Sequence, residues 1–95
     1  MLTEYTEMVI KKFLSHYESK SSQSNYESAI NTLFKVIEKN DIQKLTYEDF
    51  LNVEGSTSQD AYRTSFFKYI YAFDILQNSE GFQTIWVKNN LKKHF

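Results

Sequence analysis

Between Ser58 and Phe73 the chain sets Tyr62, Phe66, Phe67, Tyr69, Tyr71 and Phe73 within about four helical turns. A helix carrying large rings on that many sides cannot rest one stripe on a core and leave the rest in water. It needs other elements over several of its faces. Two glycines and no proline in 95 residues are too few turn-formers for the many short strands of a sandwich or barrel. The chain is therefore predicted to be all-α, one domain of helices joined by short polar connections, burying about 65% of its unfolded surface.

The remaining segments supply the cover. Thr3 caps a helix running from Glu4 to about Ser19, with Tyr5, Met8, Val9, Phe13 and Tyr17 on one face. Ser24 and Glu27 form a capping-box pattern opening a second helix, whose apolar face is Tyr26, Ala29, Ile30, Leu33, Phe34 and Ile37. Its polar side, Ser28, Asn31, Thr32, Lys35 and Lys39, meets no acid until Glu38. Ile42 and Leu45 anchor the next connection. Thr46 or Tyr47 opens a short acidic helix through Phe50 and Leu51, which ends before Gly55 in a left-handed cap. Ser56, Thr57 and Ser58 then cap the aromatic helix, which extends to about Leu76. Tyr62, Ser65, Phe66, Tyr69, Ile70 and Phe73 face inward, while Phe67 and Tyr71 await cover from a final helix, about Phe82 to Lys93, through Phe82, Ile85 and Trp86, with Leu91 as a further candidate.

Catalytic and metal chemistry find little support. There is no cysteine, and the two histidines, His16 and His94, have no partner at a metal-ligand spacing. Gly55 and Gly81 are isolated, so no phosphate loop is present, and no serine has a base beside it in the pattern. No catalytic residue, metal or cofactor is expected. Nor does any apolar run approach the ~18 residues of a membrane span. Soluble, cytoplasmic placement is the expectation. The net charge of −1 gives no global sign of a polyanion partner, but charge is uneven: residues 41–80 hold three basic against seven acidic side chains, and residues 81–95 hold Lys88, Lys92 and Lys93 with no acid. That basic tail either complements a helix end or begins a linker along DNA.

The order of motifs carries a resemblance. Tyr26-x-x-x-Ile30-x-x-Leu33 is followed by Leu45-Thr46-x-x-Asp49-Phe50-Leu51, a serine/threonine cap, and Tyr62-Arg63-Thr64-Ser65-Phe66-Phe67-Lys68-Tyr69. From about Val9 to Asn78 this resembles the N-terminal SAM-like core-binding domain of tyrosine recombinases, the phage-integrase family. The resemblance implies an orthogonal bundle of four to five helices that grips one side of duplex DNA at the core site during site-specific recombination and integration. Cutting and rejoining would belong to a separate C-terminal domain, making this chain a non-catalytic piece of a larger integrase, with other protomers as partners on DNA.

Carried over residue by residue, the resemblance places DNA contacts at Lys20, Ser22, Gln23, Asn25 and Lys35 on the second helix, and at Ser58, Gln59, Arg63 and Lys68 on the fourth. Arginine and lysine supply most phosphate and guanine contacts, and Arg63 is the chain's only arginine. Helix capping is the competing role for Ser22, Gln23, Asn25, Ser58 and Gln59. The aromatics follow a helical face with few lysines among them, so they form a core rather than a base-stacking surface. A helical protein–protein interaction or dimerisation domain without DNA binding is the other function such a chain can carry, since it is nearly neutral and has aromatics to spare.

Overall fold

The computed structural model describes residues 1–53 and 57–95, with the side chains of Thr57 and Ser58 also outside the description. Five α-helices form a bundle: α1 (Glu4–Leu14), α2 (Lys20–Ile37), α3 (Tyr47–Asn52), α4 (Thr57–Ala72) and α5 (Lys88–Lys92). Two 3-10 turns, Ile42–Lys44 and Phe82–Thr84, complete it, and no strand occurs among the described residues. The extents of 32 × 30 × 29 Å leave no long axis, which fits helices that cross steeply rather than lie side by side.

α4 is the element the others enclose. Phe66 and Tyr69 look toward α1 and α2, where Phe13 gathers Tyr17, Tyr26, Phe66, Tyr69 and Phe95 at ring separations of 5.1–6.4 Å. Phe67 and Tyr71 look the other way, into a cluster with Phe50, Phe82 and Trp86. Phe66 and Phe67, 6.2 Å apart, join the two clusters. Phe13, Phe66, Phe67 and Phe82 are all fully buried. The expected cover of Phe67 and Tyr71 is thus supplied by Phe82 and Trp86, whereas Ile85 is exposed. Phe73, expected inside, is also exposed.

Helix boundaries depart from expectation where side chains or unusual backbone intervene. α1 stops at Leu14 because Ser15 Oγ donates to Lys12 O at 2.6 Å and His16 Nδ1 lies 3.1 Å from the same carbonyl, turning the chain off the helical path. Its buried face is Thr6, Val9, Ile10, Phe13 and Leu14, so Tyr5 and Met8 emerge into solvent. Thr6 explains the rotation. Its Oγ1 accepts from Ile42 N at 2.8 Å and donates to Asn40 O at 3.3 Å, fastening α1 to the connection that carries the buried anchors Ile42 and Leu45.

α2 begins one turn earlier than its capping-box pattern suggests, with Ser19 as cap, and Ser24 lies within the helix. Gln23 Nε2 donates to Tyr17 O at 2.7 Å, stabilising that earlier start. Of the two expected openers of α3, Thr46 is the cap, and it forms a reciprocal box with Asp49. The expected left-handed cap at Gly55 and the cap at Ser56 to Ser58 lie outside the described residues. α4 ends at Ala72, before the expected Leu76: Asp74 takes a left-handed conformation (φ 57°), Ile75 N reaches Ile70 O at 3.0 Å and Asp74 N reaches Tyr71 O at 3.3 Å. These two bonds close a Schellman motif around an aspartate instead of a glycine. The expected continuous last helix is broken into a 3-10 turn and the five-residue α5, which lets Phe82 turn into the core and stack on Trp86 at 5.5 Å.

Candidate nucleic-acid interface

α2 carries the candidate site. Eighteen residues long, it has no acid in its first turn, whereas α1, α3 and α4 each begin with at least one. Lys20, Ser24, Ser28, Asn31 and Lys35 recur at four- and three-residue steps and are all exposed, giving a polar stripe about 22 Å long at 1.5 Å per residue. Lysines stand at both ends. Ser24, Ser28, Asn31, Thr32 and Lys35, with Glu27, line a shallow groove of about 350 Å³. Glu27 is an acid on this face, where none was expected before Glu38, and it sits on the α1 edge, where it shares a second groove with Glu7 and Lys11. Thr32 is turned inward along its own helix, its Oγ1 donating to Ser28 O at 2.9 Å.

Of the expected contact residues, Lys20, Asn25 and Lys35 are free on the surface of α2. Ser22 is half-buried, its backbone N–H directed at the cap oxygen of Ser19, and Gln23 spends its amide on Tyr17 O. Both act in building the helix start. α2 and α4 pack on each other, with Tyr26 edge-on to Tyr62 at 4.7 Å, so the two expected DNA-facing helices are neighbours. The α4 residues nevertheless do not extend the stripe. Gln59 is half-buried, and the side chain of Ser58 lies outside the description. Lys68 points away from α2, with its Nζ 5.9 Å from the centre of the Trp86 ring.

Arg63 corrects the picture of a cationic edge on α4. It is 4% exposed. Its Nη2 donates to Val53 O at 3.2 Å and pairs with the Asp60 carboxylate one turn earlier, while Nη1 is buried with no partner among the described residues. Burial pulls its pKa below the ordinary arginine value, although a guanidinium stays charged at neutral pH. To touch a phosphate this side chain would have to abandon both partners. Spacing on the helix could not reveal this, because the carbonyl that receives Arg63 comes from the end of α3. The stripe residues Ser24, Ser28 and Asn31, by contrast, were readable from their i, i+4, i+7 spacing.

Among the described residues no group of three or more histidines, cysteines or acids stands together as a metal site, and no helix is long and apolar enough to cross a membrane. No protein-family model, curated protein or solved structure matches the chain.

Proposed function

We propose that the chain is a non-catalytic DNA-binding module of the tyrosine-recombinase core-binding kind, laying α2 against duplex DNA while a separate domain performs strand exchange. The observation that supports this most is the exposed stripe from Lys20 to Lys35. It combines two terminal cations with serine and asparagine side chains able to donate to phosphates or base edges, on a helix of the width a major groove accepts. Motif order along Tyr26 to Tyr69 supports the same reading. With few cations and a net charge of −1, affinity rests on a small number of phosphate contacts and is greatest at low salt.

Duplex titration by fluorescence anisotropy at several salt concentrations tests it. Binding should weaken with salt at a log–log slope of about −0.9 per phosphate contacted. Lys20→Ala and Lys35→Ala should each flatten that slope by about one contact, and Lys68→Ala should leave it unchanged. A folded chain that binds no duplex at low salt, or whose binding ignores both α2 lysines, overturns the proposal.

A further inference from the structure

The rotation of α1 leaves an apolar surface that none of the described residues covers. Tyr5, Met8 and Phe73 are 39%, 57% and 41% exposed, and together with Phe95 they wall a groove of about 460 Å³ between α1 and the end of α4. Lys12 and His16 stand along the same α1 face, and among the described residues no carboxylate side chain lines the groove. His16 is held in place: Nδ1 lies within 3.1–3.3 Å of the Lys12 and Phe13 carbonyls, and its ring packs edge-on against Tyr69 and Phe95. Lys92, Lys93 and His94, all exposed, sit on the turn that delivers Phe95. Two acids adjoin lining residues: Glu4 precedes Tyr5 in the first turn of α1, and Asp74, between Phe73 and Ile75, is paired with Lys88.

We infer that this groove is a docking site for an acidic amphipathic helix of a protein partner, a function separate from the α2 stripe. From Tyr5 to His16 the groove runs about 16 Å, the length of three helical turns. A partner helix therefore presents apolar anchors at i, i+3 or i+4, and i+7, with glutamate or aspartate on its flanks facing Lys12 and the basic tail. Met8, flexible and polarizable, adapts to the central anchor. The charge at the groove favours acids over bases, because Lys12 in its wall and the exposed Lys92 and Lys93 just before Phe95 would repel a lysine-flanked helix.

A displayed library of helical peptides, with apolar and charged positions randomised, is selected on the full chain and then measured against variants. Enriched peptides should carry an excess of acidic over basic residues. They should bind Met8→Glu at least about tenfold more weakly than the parent chain, and Lys12→Glu should erode the acidic excess. Neither substitution touches α2, so duplex affinity should be unchanged, which separates this site from the DNA proposal. The inference is overturned by a selection with no binder, by binders that Met8→Glu retains at full affinity, or by equal use of acids and bases. Self-association of the free chain in sedimentation that Met8→Glu abolishes also overturns it, since the groove would then be filled by a second copy.

Discussion

Single residues in this chain carry roles that their type alone does not suggest. Gly81 has φ 97°, and a Cβ placed there would come within 2.4–2.8 Å of the Tyr47 side chain, whose ring is packed edge-on to Phe82 at 5.1 Å. Gly81→Ala faces both backbone strain and a clash that Tyr47 cannot relieve without disturbing Phe82. It should lower the unfolding free energy by roughly 2–4 kcal/mol, read from denaturant midpoints. Arg63 is an internal tie between α4 and the end of α3. Arg63→Ala strands the Val53 carbonyl and should cost about 1–3 kcal/mol of stability, while half-exposed Asp60 simply gains water. Should the variant instead unfold like the parent, the guanidinium contributes nothing net to the fold.

At the scale of elements, apolar spacing was a good guide to which helices exist and a poor one to where they stop. α2's buried face of Ala29, Ile30, Leu33 and Phe34 follows its periodicity, as do the anchors Ile42 and Leu45. The ends of α1 and α4, however, are set by Ser15, His16 and Asp74, residues that continue a helix as readily as they end one. The rotation of α1 was equally hidden, because Thr6 is drawn inward by hydrogen bonds to a connection 34 to 36 positions away. For the candidate site, the resemblance pointed to Lys20, Asn25 and Lys35 and helical phase to the polar side with Ser28, Asn31 and Lys35, whereas the burial of Arg63 required knowing where α3 ends. α2 stops at Glu38, left-handed at φ 57° and exposed. A glycine relieves the steric cost of that conformation, so Glu38→Gly should raise stability by about 0.5–1 kcal/mol in the same denaturant measurement. A loss of stability would mean that the glutamate side chain holds the connection to Ile42.

Over the whole molecule, the aromatic core couples stability to alkaline pH. Tyr17 stacks on Tyr26 at a ring separation of 4.1 Å beside Phe13, and Tyr69, 4% exposed, lies against Phe13, Phe73 and Phe95. Burial raises the pKa of Tyr17, reinforced by its hydrogen bond to Tyr26, and burial followed by repulsion from Tyr5 raises that of Tyr69. A raised folded-state pKa means the native structure prefers the neutral phenol. Its stabilising share is complete below the unfolded tyrosine value of about 10 and is lost as pH climbs from there through the folded values. Chemical denaturation at increasing alkaline pH should therefore show stability falling above about pH 10, with phenolate absorbance from these two rings appearing late and together with loss of helix. Tyr17→Phe and Tyr69→Phe keep each ring's packing but remove its titration, so each should flatten the alkaline decline. Because Tyr17 and Tyr69 both surround Phe13, where α1, α2 and α4 meet, ionising either opens the junction of all three helices, and the loss should be cooperative rather than a local fraying of one helix end.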